Sequence, residues 1–555
     1  MMKNVEIFCK NTKSWHEYPM GTSLLEISRD LSIQTKNKIC GAIVNNQVRE
    51  LSFRVVKNKQ IEFIDFSHHD GMRLYIRSLM FVLYAAIKEV FPHVSLQIQN
   101  GISNGSFCEL NGLEREITNT DVQLIIQEMN KLIEQDIPFV KRTMLTTEAV
   151  DLLMRQGLED KAHLFEQQGK LFSSLYFLND LANYFYGHLL PSTGYISNFG
   201  LVPYFNGLLL RLPHRKDFSK LRRKQKQPKL FEIFQEQKNW AEILNVSTIG
   251  NLNDFVLQNK GGQIIKISEA LHEKKIAEIA NVIYSRSDEV KVVLIAGPSA
   301  SGKTTFSKRL GVQLAVNGLR PFQISLDNYF VDRENTPLDE FGEYDFESLL
   351  AIDVEYFNKQ LIDLMNGKEV RLPKFDFHQG KRIKNGKKLK LLPGDILVVE
   401  GIHGMNPGLL TQVQTKNTYR IFISALTQIS FDEHMHISTA DNRLLRRMIR
   451  DNKYRGYPAA ETLKRWPSVR RGEERNIFPY QENADIMFNS ATLYELAVLK
   501  KYAEPILKTV TENRKEYSEA TRLLKFLSYF KPIDDNEIPP TSLLREFLGG
   551  SSFAY

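Results

Sequence analysis

From Val292 the chain runs through five apolar residues, VVLIA, directly into GPSASGKTTFSKRL. A buried-type strand, a loop bounded by glycines and ending in lysine and threonine, and a following helix make one unit, because such a loop needs rigid elements on both sides to keep its curvature. Gly297 and Gly302 bound the loop. The backbone N–H groups of Ser299, Ala300, Ser301, Gly302, Lys303, Thr304 and Thr305 are expected to curl around phosphate oxygens, with the positive end of the helix dipole behind them. Lys303 would then reach the β and γ phosphates, and the Thr304 hydroxyl would hold Mg²⁺, so ATP and Mg²⁺ are the expected cofactors.

Beyond the loop, helix and strand patterns alternate. FSKRLGVQLAVNG is predicted as a helix, PFQISLD as a strand, VEYFNKQLIDLMNG as a helix, DILVVEG and YRIFISA as strands, and TADNRLLRRMIRDNKY as a helix. That alternation predicts an α/β domain over residues 286–510, a mostly parallel sheet with helices on both faces. Ahead of it the patterns differ. Residues 1–65 read as a small β-rich unit with one helix, SLLEISRDL, and residues 66–230 as an α+β unit. There MRLYIRSLMFVLYAAIKEVFP is predicted as a helix stopping at Pro92, DVQLIIQEMNKLIEQD and TEAVDLLMRQGLEDKAHLFEQQ as one helix each, and YISNFGLVPYFNGLLLRLP as hairpin strands. Residues 231–285 are predicted as a linker that ends in a helix from about Ala270, and 511–555 as a turn-rich, loosely attached C-terminal extension.

Two acids end strands on the edge where open α/β sheets place ligands. Asp327 closes PFQISLD and is a candidate for accepting the proton of an attacking hydroxyl; Glu400 closes DILVVEG and is a candidate for orienting Mg²⁺ or its water, together with Thr304. On the last helix Arg443, Arg446, Arg447 and Arg450 fall at i, i+3, i+4 and i+7, one face. Four like charges there repel unless an anion is present, which suggests a lid that clamps phosphates. His434, His436 and the pair His68-His69 lack the spacing of a metal motif and read as structural or exposed.

Composition narrows the rest. At 555 residues the chain exceeds a single core, and with 42% hydrophobic and 25% charged residues it is ordinary for a globular protein. It has no apolar run of membrane-spanning length and no stretch resembling a signal peptide, which predicts a cytoplasmic protein without membrane contact. Three cysteines, Cys9, Cys40 and Cys108, give neither a disulfide framework nor a zinc ribbon. Most of the net charge of +8 sits in RKDFSKLRRKQKQPK, residues 215–229, with eight basic residues against Asp217. That run is expected to be a solvated, mobile connector, with an RNA or other anion contact as the sharper alternative.

Several motifs between about 290 and 490 together resemble a known family. GPSASGKTT, SLDNYF, YDFESLLAID, LPKFDFHQGKR, LVVEGIHG and TADNRLLRRMIRD come in the same order as in the uridine kinase and phosphoribulokinase group of P-loop kinases. The resemblance implies Asp327 as the base that activates the acceptor hydroxyl, Lys303 on the triphosphate, and Asp345 and Asp376 near the sugar. It also implies Arg443, Arg446 and Arg447 in the lid. The acceptor pocket departs from the pattern: Phe375 stands where uridine kinases carry a tyrosine, Phe330 replaces another, and Gly380 falls where the histidine that meets the pyrimidine is expected. Lost polar contacts cost discrimination, so kinase chemistry is implied more strongly than uridine specificity.

The front resembles something else. Residues 1–65 are similar to the TGS domain of threonyl-tRNA synthetases and residues 66–230 to the next domain of those enzymes, with RLYIRSLMFVLYAAIKEVFP and QIQNGISNGSFCEL carrying the likeness. That second domain edits mischarged tRNA through an HxxxH pair and a later cysteine and histidine. Here His69 is followed four residues on by Arg73, and no cysteine comes after Cys108, so no editing activity is expected and the front half is expected to bind or regulate. The order of parts resembles a bacterial group of large uridine kinase-like proteins. The expected activity is phosphoryl transfer from ATP to a small hydroxyl acceptor, foremost the 5′-hydroxyl of a nucleoside. A sugar phosphate acceptor is the alternative, as is an RNA-binding regulator that uses the loop as a switch. A homo-oligomer is left open.

Overall fold

The structure is a computed structural model and describes residues 3–376, 378–383 and 386–554. It is a mixed α/β chain whose second half is built on a five-stranded, all-parallel sheet preceded by β-rich units. In that sheet the strands lie in the order Arg320–Ser325, Asp395–Glu400, Val292–Ala296, Thr418–Ser424 and Ile486–Asn489. Val292–Ala296 is buried at every residue, as a central parallel strand covered on both faces must be. Ser325 stands in register with Glu400, and Ile295 with the same glutamate from the other side. All carboxyl ends therefore open on one edge, directly over the loop Gly297–Gly302.

The first residues form a second sheet, in which the hairpin Asn4–Cys9/Ser14–Pro19 pairs with Lys59–Ile64 and then Gly41–Val44 and Gln47–Arg49. The predicted helix is there as Leu24–Asp30, started by a capping box in which Ser23 and Glu26 satisfy each other's amides. Next comes His69–Val90, a helix buried almost all round, and it lies under a four-stranded antiparallel sheet that includes Ser95–Ile102 and Gly105–Asn111. The expected hairpin near the end of this unit is Gly200–Tyr204 and Gly207–Arg211.

Four local readings need correction. The single helix over TEAVDLLMRQGLEDKAHLFEQQ is two, Thr146–Arg155 and Glu159–Gln168, because Gly157 turns the backbone to φ 73° between them. The stretch 231–285 is no linker: the helices Pro228–Ile243, Ile249–Leu257 and Gly261–Ser285 fill it, and the last begins nine residues before Ala270. The basic run is solvated as expected, with Arg215, Lys216, Lys220, Arg223, Lys224 and Lys226 exposed, but it is not a free connector. Its first part forms the short antiparallel pair Pro213–His214/Asp217–Leu221, Phe218 stacks on Phe66 at 4.7 Å, and Lys229 donates to the carbonyl of Glu482. Finally, the C-terminal extension is tightly held, with Leu543, Leu544, Phe547 and Leu548 buried. The largest hydrophobic core runs through buried residues from Cys40 to Leu548, so the front and back halves share one interior. No helix among the described residues is long and apolar enough to cross a membrane.

Candidate active site

The loop between Val292–Ala296 and the helix Lys303–Val316 closes on itself with two left-handed residues, Ala300 at φ 59° and Gly302 at φ 83°. Gly297 has no room for a side chain, since a Cβ there would stand 2.0 Å from the Ile423 carbonyl oxygen. Lys303 folds back to donate to the Pro298 carbonyl at 3.1 Å, and the Thr304 hydroxyl faces the Glu400 carboxylate at 3.5 Å. Asp327 sits in a single 3₁₀ turn, Leu326–Tyr329, just past the end of its strand.

These groups share one electrostatic field. Burial pushes Glu400 up to about 7, and the charge of Asp327 adds to the rise, while Lys303 opposes it. Burial likewise raises Asp327, against the pull of Lys303, Arg455 and Arg450. Lys303 is lowered by burial, with Glu400, Asp327 and Glu546 holding it up. Two mutually repelling acids beside a threonine hydroxyl form a set of hard oxygen donors that a divalent cation would neutralise, which fits Mg²⁺.

The arginine face does something other than repel. Arg443 is completely buried and forks onto Glu473, and Arg446, equally buried, forks onto Glu495. Each then donates to the nucleotide loop: Arg443 to the Ser299 carbonyl at 3.1 Å, and Arg446 to the Ala300 carbonyl at 3.4 Å. Arg447 donates to the Ser299 hydroxyl at 3.0 Å, and Glu473 accepts from the Ser299 amide at 3.1 Å. The expected four-charge repulsion is therefore corrected: carboxylates from Glu473, Glu495 and Asp451 neutralise the face. Arg443 and Arg446 brace the loop from behind, while Arg450 and, one turn on, Arg455 act electrostatically on Asp327.

On the acceptor side Phe330 and Phe375 are both 8% exposed and meet with ring centroids 5.7 Å apart, and Phe346 closes on Phe330 edge-on at 6.4 Å. Asp345 lies in the adjoining loop, where its charge helps burial to raise Glu347 to about 7. Asp376 spends one oxygen on its own turn, with Oδ1 accepting from the amides of His378 and Gln379. Gly380 is left-handed at φ 67°, and the Arg333 side chain fills the space that a Cβ would need.

Residues 292–497 match the model of the phosphoribulokinase / uridine kinase family. The segment is a kinase domain of that family. Among characterised relatives, the uridine kinase of Staphylococcus epidermidis is 28% identical over 212 residues, covering 38% of this chain and 93% of that enzyme. The N-terminal part matches threonine–tRNA ligases. The ligase of Desulforamulus reducens is 27% identical over 190 residues, 34% of this chain, and the chain spans only 30% of the ligase's length. Among solved structures, the D-glycerate 3-kinase of Cryptococcus neoformans var. grubii aligns with 15% identity and a TM-score of 0.21, over 46% of this chain and 87% of that one.

The C-terminal segment adds to the site a group that the sequence motifs did not single out. Glu546, from the turn Arg545–Leu548, accepts from the Thr305 hydroxyl at 2.7 Å and from the Thr305 amide at 3.3 Å. A carboxylate thus stands at the N-terminus of the loop's helix, where a phosphate group of ATP would be received. It acts as an internal stand-in for that anion and shows that the cradle fits one. The Ser301 hydroxyl, buried in the same loop, has no hydrogen-bond partner among the described residues. Glu473, Arg455 and Glu546 all escaped the sequence reading. A charged residue in an exposed-looking pattern carries no local sign of a partner tens or hundreds of residues away.

Proposed function

We propose that this chain transfers the γ-phosphoryl group of ATP to a hydroxyl of a small acceptor, namely the 5′-hydroxyl of a nucleoside. The observation that carries the reading is the position of Asp327. A carboxylate with a raised proton affinity stands on the carboxyl edge of the sheet, between the loop lysine and the arginines Arg450 and Arg455. Such a group accepts the hydroxyl proton as the acceptor oxygen attacks the γ phosphorus and the bond to the ADP oxygen breaks. Bound Mg²⁺ supplies charge neutralisation between the phosphates. Thr304 and Glu400 would hold it. Lys303 neutralises the transferring group, and the braced loop fixes its place, so catalysis rests on positioning and preorganised charge.

The aromatic recess of Phe330, Phe346 and Phe375 supports a flat acceptor. With Phe375 and Gly380 in place of polar groups, it offers stacking rather than hydrogen bonds to a base edge, and the enzyme should accept more than one nucleoside. The test is transfer from labelled ATP to pyrimidine and purine nucleosides, ribose and pentose phosphates, with Lys303→Ala as the blank. Nucleoside monophosphates should form with the unaltered chain, fall at least about a hundredfold with Asp327→Asn while ATP still binds, and vanish in the blank. Phosphorylation of a sugar phosphate alone would refute the nucleoside assignment, and full activity of Asp327→Asn would remove the base.

A further inference from the structure

A cavity lies away from the nucleotide loop, none of whose residues line it. It measures about 430 Å³ and opens between the helix His69–Val90, the strand Gln47–Arg49, the segment Tyr184–His188 and the helix Tyr517–Leu527. Three parts of the chain that are remote in sequence build it together. Its volume falls within the range of small-molecule sites.

Charge in this cavity is lopsided. Asp70 among the lining residues is taken by Arg73 at 2.9 Å and His69 at 3.2 Å. Two acids stand just behind the wall and are also engaged. Glu519 sits between Arg73 and Arg522, and Glu50 faces Lys141 at 3.8 Å, His188 at 3.4 Å and the Tyr176 hydroxyl at 2.5 Å. That leaves Arg77, Lys170 and Lys525 lining the space with no carboxylate within 4.0 Å among the described residues. Among the described residues the guanidinium of Arg77 has one hydrogen bond, to the His188 carbonyl at 3.3 Å, and it lies so close over Gly187 that any Cβ there would fall 2.2 Å from it. Lys525 is pushed down to about 8 by burial and by Lys141, Arg77 and Lys170 around it. Arg77 is half-buried while Lys170 and Lys525 keep much of their side chains exposed, and three cations that converge on one space without a carboxylate leave a positive field there that an anionic ligand would complete. Between them stand aromatic faces: Tyr186 under Arg77 at 5.6 Å, and Tyr529 under Lys170 at 5.6 Å, with Tyr184 alongside.

We propose that this cavity binds a free nucleoside phosphate, with its phosphate on Arg77, Lys170 and Lys525 and its base against the tyrosines. The tyrosine faces distinguish this from a bare phosphate site, and the cavity has room for a base beside the anion. The site is separate from the acceptor pocket and does not depend on which hydroxyl the kinase domain phosphorylates.

The test uses the full chain carrying Lys303→Ala, titrated calorimetrically with UMP, CMP, AMP and GMP, with inorganic phosphate, with the free nucleosides and with a short single-stranded RNA. At least one monophosphate should bind, at least tenfold more tightly than inorganic phosphate or its own nucleoside. Adding Arg77→Ala or Lys525→Met should weaken that binding at least tenfold. Affinity left unchanged by both variants, or inorganic phosphate binding as tightly as every nucleotide, would overturn the proposal. So would RNA binding without any binding of mononucleotides.

Discussion

Glu400 is the residue whose chemistry most directly exposes the site to measurement. In the folded chain it keeps its proton up to about pH 7, whereas an unfolded chain releases it near the usual carboxylate value. Between those limits the folded state binds the extra proton, so the empty site loses stability as pH rises through the window. A metal needs the ionised carboxylate and must displace that proton. Affinity for Mg²⁺ should therefore climb with pH and level off above about 7. At limiting Mg²⁺, phosphoryl transfer should rise several-fold between about pH 5.5 and 7.5, and saturating Mg²⁺ should shift the midpoint to lower pH. Rate profiles at two Mg²⁺ concentrations decide it: superimposable curves would mean that Glu400 holds no metal. The acid itself was readable in the sequence, because four apolar residues and a terminal carboxylate followed by glycine describe a buried strand and its exposed end. Its proton affinity was not, since that depends on Asp327 and Glu546, which stand on other elements.

At the scale of elements, the helix Thr439–Arg455 and the turn Arg545–Leu548 show what periodicity reveals and what it conceals. The spacing of Arg443, Arg446, Arg447 and Arg450 placed them correctly on one helical face, and strand and helix alternation placed the whole kinase sheet. The partners that neutralise Arg443 and Arg446 lie 30 and 49 residues away, and no local pattern announces them. The same holds for the C-terminal turn, where PP and GG suggested loose chain while the intervening SLLREFL packs inward. Its Glu546 is 241 residues from the threonine that it caps. A carboxylate at a helix N-terminus gains from the dipole as a phosphate does, so the two compete for the Thr305 amide and hydroxyl. Glu546→Ala should tighten ATP binding by about three- to tenfold, the equivalent of the ~0.5–1.5 kcal/mol that such a capping contact supplies. Calorimetric titration of ATP measures this. Weaker binding in the variant would instead make Glu546 a supporting part of the nucleotide site.

For the whole molecule, the resemblances suggested parts joined in series, and the structure joins them through their interiors. The hairpin Ser430–Asp432/Met435–His436 of the kinase domain reaches into the front half, where Asp432 meets Lys161 at 3.0 Å with both side chains fully buried. Glu433 adds a second carboxylate at 3.4 Å, and its backbone carbonyl accepts from the Ile98 amide. Sequence could not show this junction, because HEKK, DKAH and DEHM are equally plausible as solvated charge. Removing one member of a buried pair leaves the other charge without water or partner, at a cost of about 3–5 kcal/mol. Lys161→Met should therefore lower the melting temperature by several degrees. The loss should also depend on pH, since burial raises Asp432 to about 7 even with Lys161 beside it, and without the lysine its proton is held still more firmly. Below that value the acid is neutral in the variant and sits beside methionine at the cost of a hydrogen bond. Above it the ionised form has no compensating charge. The deficit of Lys161→Met relative to the unaltered chain should thus grow from about pH 5.5 to pH 8.5, readable as two melting curves per protein. A deficit that stayed constant across that range would mean that Asp432 is hydrated, and that the two halves meet across a wet interface rather than through a shared core.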